Sequence, residues 1–296
     1  MGGVTKAVVP VAGAGTRLLP VTKSQPKEML PVGRKPVVQY VVEEIGRAGL
    51  KHIIFVTGRK KVAIEDHFDH DSELARLLAE NGKMDVLDGL SFEEDGSSFS
   101  YVRQGQPRGL ADAILTAKHL VGNEDFVVAL GDAIIESRAG QEFLATLVGY
   151  HQQNAAAATI AVEEVTEDEV SKYGIVTPGA TNGSFFRVTD IVEKPSAKEA
   201  PSRLAIAARY VFSPEIFEVI AATPPRANGE VYLTDCIQDL VDRDLPVYCV
   251  KLPPGSKRHD IGNFESFFRA FIHFALADPE YGPALRSLLP NADPQG

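Results

Sequence analysis

The apolar positions fall into two kinds of run. Unbroken apolar stretches occur at Lys6-Ala-Val-Val-Pro-Val-Ala12, His52-Ile-Ile-Phe-Val-Thr57 and Asp125 to Leu130. Runs of that length predict strands buried on both faces, as in a parallel sheet covered by helices. Gly13, Gly58 and Gly131 close them. Between them the spacing becomes helical. Val37, Val38, Val41, Val42 and Ile45 predict an amphipathic helix over 36–49, ended by Gly49. Helices are expected over 61–68, 72–81 and 110–120, and a strand over 96–103. The order βαβαβαβ implies an open parallel sheet with right-handed crossovers.

The second half reads as mixed. A helix over 143–154 precedes a strand over 156–162, and Thr166-Glu-Asp-Glu169 has the form of a capping box. Asn182-Gly183 separates two alternating segments, 173–178 and 185–192, and signals a hairpin. A strand over 204–212 leads to Ser213-Pro214, a helix start. Helices over 214–222 and 231–242 flank a last strand over 246–252. A long amphipathic helix covers 264–277. No linker or internal repeat divides the chain. One α/β domain is expected over 1–282, with a loose tail over 283–296.

Composition narrows the function classes. With 296 residues the chain can bury a sizeable core, and 44% hydrophobic with 24% charged residues is ordinary for a globular protein. No apolar run reaches the roughly 18–20 residues of a membrane span. The first residues already read as a strand rather than a signal peptide, so a cytoplasmic protein with no membrane partner is expected. Cys236 and Cys249 show no CxxC spacing and no nearby His pair, which points to core thiols rather than zinc or a disulfide. A net charge of −10 argues against general nucleic-acid binding. It leaves room for phosphate binding where a few cations and backbone amides converge.

The loop after the first strand is where such convergence is expected. A Walker loop needs Gly-Lys-Ser/Thr at its end, which is absent. A dinucleotide fingerprint needs a third glycine where Leu18 stands, and Pro20 and Pro26 favour extended loop over an immediate helix. The remaining reading is a different triphosphate cradle. Gly13 and Gly15 allow close backbone approach, and Arg17 and Lys27 supply fixed positive charge. Gly-x-Gly alone is equally a plain tight turn.

The whole string is more specific. Gly13-x-Gly15-Thr-Arg-Leu-x-Pro20-x-Thr-x-x-x-Pro26-Lys27-x-x-Leu-Pro31 resembles the signature of the nucleoside-diphosphate-sugar pyrophosphorylases. The resemblance implies a Rossmann-like three-layer α/β fold with a mixed, mostly parallel sheet. It implies transfer of a nucleotidyl group to a sugar 1-phosphate with Mg²⁺. Ala12, Gly13, Gly15 and Thr16 then contact the nucleotide, with Arg17 and Lys27 as catalytic cations. Gln104, with Gly109 five residues later, holds the base; its amide both donates and accepts. Asp132 ends a buried strand, where ligands of open α/β sheets sit, and with Asp260 it forms the implied metal pair. Gly174, Glu193 and Lys194 contact the sugar phosphate: Glu193 accepts from hydroxyls and Lys194 neutralises charge. Lys257 and Arg258 are either phosphate contacts or merely solvated, and His259 is structural.

Further segments resemble the bacterial UTP–glucose-1-phosphate uridylyltransferase branch. They include Ile64-Glu-Asp-His-Phe-Asp69, Pro26-Lys-Glu-Met-Leu-Pro31, Tyr173-Gly-Ile-Val176, Asn228-Gly-Glu-x-x-Leu-Thr-Asp235 and His259-Asp-x-Gly262. That branch implies UTP and glucose 1-phosphate as substrates and UDP-glucose and pyrophosphate as products. It implies a nucleotide-binding half over 1–135, a sugar-binding half over 136–262 and a C-terminal helix over 263–278. A homo-oligomer, dimer or tetramer, is also expected, with 60–82 as a candidate interface. Two positions depart from the branch. Asp112 stands where His is usual, and alanine follows Asp132. Gly109-Leu-Ala-Asp-Ala leans towards the thymidylyltransferase loop, so dTTP stays beside UTP as a nucleotide. A nicotinamide oxidoreductase lacks support, because Thr57-Gly-Arg follows the second strand instead of an acidic ribose anchor. A non-catalytic nucleotide-sugar-binding module is the remaining alternative, but it should have lost a metal or phosphate residue.

Overall fold

A computed structural model of the chain describes residues 3–88, 90, 96–137 and 142–289. Its strands are β1 (Lys6–Pro10), β2 (Pro31–Val32), β3 (Lys35–Pro36), β4 (His52–Thr57), β5 (Ser98–Arg103), β6 (Phe126–Ala129), β7 (Ala133–Glu136), β8 (Ala158–Glu164), β9 (Gly174–Asn182), β10 (Phe185–Glu193), β11 (Leu204–Phe212), β12 (Val247–Lys251) and β13 (Lys257–Asp260). The helices are α1 (Val37–Arg47), α2 (Val62–Phe68), α3 (Ser72–Glu80), α4 (Met84–Asp88), α5 (Leu110–Thr116), α6 (Lys118–Val121), α7 (Phe143–Gln153), α8 (Glu215–Ala222), α9 (Leu233–Asp242), α10 (Phe264–Ala277) and α11 (Gly282–Ser287).

Nine strands form one sheet in the order β5-β4-β1-β6-β11-β8-β12-β10-β9. The first four neighbours are parallel, as the unbroken apolar runs predict. From β11 onward the sheet is mixed: β11 is antiparallel to β6 and β8, β12 is parallel to β8, and β9–β10 is the hairpin signalled by Asn182-Gly183. Parallel pairing therefore belongs mainly to the N-terminal half. Because successive strand residues face opposite sides, β1 feeds two cores. Val8 packs with α5, α8 and α9 on one face, while Ala7 and Val9 pack with α1, α2 and α7 on the other. The result is three layers.

A third apolar cluster bears on the site. Leu18, Leu30 and Val32 of the N-terminal loop pack against Ile134, Ile261 and Ala270. The loop is thus nailed to β7, to the turn after β13 and to α10. Beneath it lie two buried ion pairs. Glu28 meets Lys61 at 2.7 Å, and Arg209 meets Glu44 at 2.6 Å.

Several expectations shift. The helix over 110–120 breaks at Ala117 into α5 and α6. The Thr166 capping box does not form; Thr166 Oγ1 donates to the Glu169 carboxylate at 3.1 Å, and a 3₁₀ helix covers Glu167–Lys172. The short helix α11 stands at the start of the expected irregular tail, and 290–296 lie outside the described residues. No helix among the described residues is long and apolar enough to cross a membrane.

One buried histidine gives the fold a pH dependence. His151 is 1% exposed, its Nδ1 lies 3.1 Å from Thr159 Oγ1, and its Nε2 has no hydrogen-bond partner. Burial lowers its pKa from 6.5 to about 4. Above the unfolded value the ring is neutral in both states, and stability is unaffected. Between 6.5 and 4 the unfolded chain takes a proton that the folded chain refuses. Stability therefore falls as pH drops through that window, by about 3 kcal/mol. Urea midpoints measured across it should flatten in His151→Gln; an unchanged slope would show that another group dominates.

Candidate active site

A cavity of about 340 Å³ opens where β6, β9, β10, β11 and β13 meet the N-terminal loop. Arg17, Lys27, Asp132, Gly174, Glu193, Lys194 and Asp260 all line it. These residues are spread over 244 positions of chain, from 17 to 260, and the fold gathers them around one cavity. Gly13 and Thr16 line a neighbouring cavity of about 290 Å³, together with Lys23, Arg59 and Lys60. Ala12, Gly15, Gln104 and Gly109 line neither cavity, although Leu110, next to Gly109, lines the first.

The charges at the centre are coupled. Lys27 Nζ donates to Asp132 Oδ2. Burial opposes the charge on Lys27, but Asp132, Glu28 and Asp260 outweigh it and hold the ammonium well above its usual range. Burial likewise opposes ionisation of Asp132, and the Lys27 ammonium overcomes it, so Asp132 stays below the ordinary aspartate value. Asp260 goes the other way. Burial, then the neighbouring Asp132 carboxylate, push its pKa up. The site thus holds two half-buried carboxylates, with Lys27 bonded to one of them.

Backbone geometry aims these groups. The strand β11 carries an irregularity between Ile206 and Tyr210, and Ala208 within it has φ 59°. Such a bulge bends a strand and re-aims its side chains. Here it exposes Ala208 to the cavity. The next residue, Arg209, points to the far side, where Nη2 donates to Glu44 and to the carbonyl of Ala133 at 2.9 Å. That carbonyl follows Asp132 directly. Lys194 also sits in the left-handed region, with φ 47°, immediately after β10. A non-glycine residue held there is strained, a feature that collects at functional sites. Its Nζ lies 3.0 Å from Glu193 Oε1, and Thr234 Oγ1 donates to Glu193 Oε2 at 3.0 Å.

Two glycines are required by close approach. At Gly109, φ is 97° and a Cβ would lie 2.7 Å from the carbonyl oxygen of Val231. At Gly174 a Cβ would lie 2.8 Å from Thr234 Cγ2, beside Glu193. Gln104 is 8% exposed, and its Nε2 donates to the Gly109 carbonyl at 3.2 Å and to Asp112 Oδ2 at 2.7 Å. Both amide protons are thereby used. Among the described residues no donor meets Oε1.

The sequence leaves Arg258 open between a phosphate contact and a solvated cation. It is not a solvated surface cation. Its guanidinium stacks 3.9 Å over the Tyr173 ring, pairs with Glu163 at 2.6 Å and donates to the Ile206 carbonyl. Its side chain is 6% exposed and lines the cavity. The signal available was alternation: Arg258 and Asp260 share one face of β13, and His259 faces the other. His259 points away from the cavity, with Nε2 2.9 Å from Glu136 Oε2. Tyr173 and Thr234, from two of the quoted segments, also line the cavity, as does Tyr210, which carried no separable sequence signal.

Comparison with known proteins identifies the family. A family model described as nucleotidyl transferase matches residues 6–275. The UTP–glucose-1-phosphate uridylyltransferase of Staphylococcus epidermidis is 41% identical over 293 residues, covering 99% of this chain and all of that protein. A UTP-bound UGPase from Acinetobacter baumannii superposes with TM-score 0.88 at 36% identity, covering 98% of this chain and all of that one. A UDP-glucose pyrophosphorylase complexed with UDP-glucose superposes with TM-score 0.82 at 38% identity, covering 90% and 97%. With its signature loop, its paired carboxylates and its full-length relatives in agreement, the chain belongs to the nucleotidyl transferase family.

Proposed function

We propose that the chain transfers the uridylyl group of UTP to glucose 1-phosphate, releasing pyrophosphate and UDP-glucose. The observation that carries this reading is the single cavity in which Arg17, Lys27 and Lys194 face Asp132 and Asp260. A nucleotidyl transfer needs that balance. Cations neutralise the phosphates, and paired carboxylates hold a divalent ion.

The carboxylate pair fits Mg²⁺. Mg²⁺ takes one or two carboxylates and keeps its remaining positions for water and phosphate oxygens. Asp132 and Asp260 are half-buried neighbours, and partial burial together with the Asp132 carboxylate raises the Asp260 pKa. A bound cation would relieve that repulsion. When bound there, Mg²⁺ supplies positive charge to the phosphate oxygens. The protein's own residues do the rest. The attacking phosphate oxygen is already an anion, so no general base is required. Lys194 neutralises the attacking phosphate, and Glu193 accepts from sugar hydroxyls beside Gly174. Arg17 and Lys27 stabilise charge that builds on the α-phosphate and the leaving pyrophosphate. The nucleotide lies on residues of 1–135, with Ala12, Gly13, Gly15 and Thr16 at its phosphates and base, and the sugar lies on residues of 136–262.

Gln104 selects the base. Its Nε2 protons are held by Asp112 and Gly109, which leaves Oε1 to accept from N3–H of uracil. Cytosine has an acceptor at that position and is rejected. Asp112, which departs from the usual histidine, thus acts on the amide rather than on the base. Thymine shares N3–H, so dTTP is the second reading, favoured by the Gly109-Leu-Ala-Asp112 loop. Asp112→Ala should free the amide to turn over and narrow the UTP-to-CTP ratio of kcat/KM about tenfold, the worth of one hydrogen bond. An unchanged ratio would remove Asp112 from base selection.

The reaction course has its own test. UTP bearing sulfur at a defined α-phosphorus configuration should give product with inversion, as a single in-line displacement requires. Retention would mean a covalent nucleotidyl–enzyme and would overturn direct attack.

A further inference from the structure

Outside the cavity, three side chains from three elements converge on one point. Glu136 ends β7, His259 lies on β13, and His273 lies on α10. The Nε2 atoms of both histidines lie 2.9 Å from the same oxygen, Glu136 Oε2. The three ligand atoms all lie within 4.8 Å of one another, a convergence of three such groups that no other set of described residues shows. The two imidazoles are close, with ring centroids 4.8 Å apart, and Phe274 packs edge-on against both. His259 is 6% exposed, whereas His273 and Glu136 are partly open to solvent.

We propose that Glu136, His259 and His273 form a second cation site, selective for a divalent transition metal of the zinc type, that clips β7 and β13 to α10. The ligand set is the one imidazole-preferring cations take: two neutral nitrogens, one carboxylate and a fourth position open to water. Mg²⁺ prefers oxygen and is excluded by that set. The distances fit with modest movement: the ligand atoms, within 4.8 Å of one another, draw in around the ion while Glu136 backs away. Zinc bonds of about 2.0–2.1 Å place tetrahedral ligand atoms about 3.4 Å apart, so each 2.9 Å contact has to widen by about half an ångström. Glu136 ends its strand and is half-exposed, so it can retract that far. On binding, each imidazole presents its Nε2 lone pair, with the ring proton on Nδ1. Neither strand is remote from the reaction. Ala133 of β7 follows Asp132, and Asp260 follows His259, so the clip joins the two strands that carry the cavity carboxylates, whose spacing the β7–β13 ladder already sets.

The test uses the full chain, dialysed against chelator and then held in excess Mg²⁺ to fill oxygen-only sites. Zn²⁺ is titrated by calorimetry, and Co²⁺ is followed by its visible spectrum. The expected result is one Zn²⁺ per chain, an intense four-coordinate Co²⁺ band, and a Tm rise of about 4 °C at a hundredfold excess of Zn²⁺ over its Kd. His273→Ala, at a partly exposed position, should fold, keep its Mg²⁺-supported turnover and lose all three responses. Glu136→Gln, which preserves shape, should weaken Zn²⁺ binding at least tenfold. Wild-type protein that binds no Zn²⁺, or His273→Ala binding with unchanged stoichiometry and affinity, would overturn the site. The first outcome would leave a purely hydrogen-bonded cluster, and the second would place the metal at other surface histidines.

Discussion

Lys27→Ala and Asp132→Ala each lower kcat/KM for UTP and glucose 1-phosphate by about 10²- to 10³-fold, with the far-ultraviolet circular dichroism unchanged. The expected size follows from what each group touches. Lys27 is the cation bonded to Asp132, and Asp132, Glu28 and Asp260 hold its charge against burial. A lysine kept charged in a half-buried site acts on transferring phosphates without reorganising at the moment of reaction. Removing it also leaves Asp132 and Asp260 facing one another with less compensation. Removing Asp132 costs the metal pair one of its two carboxylates. The fold should survive, because the loop is anchored by Leu18, Leu30 and Val32 rather than by the ion pair. Near-wild-type turnover in either folded variant would take the pair out of the mechanism.

Arg209→Met destabilises the protein by about 3–5 kcal/mol, the usual cost of leaving a buried charge without its partner. Arg209 is fully buried, and its side chain bonds Glu44 of α1 and the Ala133 carbonyl beside the cavity. The truncated variant leaves Glu44 buried and unpaired. Urea unfolding measures the loss. The double variant Glu44→Leu/Arg209→Met should recover most of it, since buried pairs replaced together by apolar groups often cost little. A single variant as stable as wild type would show that water reaches Glu44.

Much of the fold is legible in the sequence, and the reasons are local. β1, β4 and β6 are unbroken apolar runs closed by glycine, and β11 matches its expected span of 204–212. The pair β7–β13 is not legible. Lys257-Arg-His-Asp260 is a charged strand outside the main sheet, and it pairs with β7 in a separate two-stranded sheet. The break at Ala117 is equally silent, because helical spacing continues across it. Arg17, Lys27, Asp132, Gly174, Glu193, Lys194 and Asp260 all lie in short motifs legible in the sequence, and folding brings them around one cavity. Their couplings could not be read. The Gln104 contact to Asp112 spans a glycine turn, and Arg258 is sequestered by Tyr173 and Glu163, partners distant in the chain.

The central claim is uridylyl transfer to glucose 1-phosphate. Its most direct test is pyrophosphate release by the purified chain with Mg²⁺, glucose 1-phosphate and each of UTP, dTTP, CTP, GTP and ATP in turn. The account predicts release with UTP, weaker release with dTTP, which shares N3–H, and little with the other three. Release favouring dTTP would reassign the nucleotide, and no release with any of them would contradict the account.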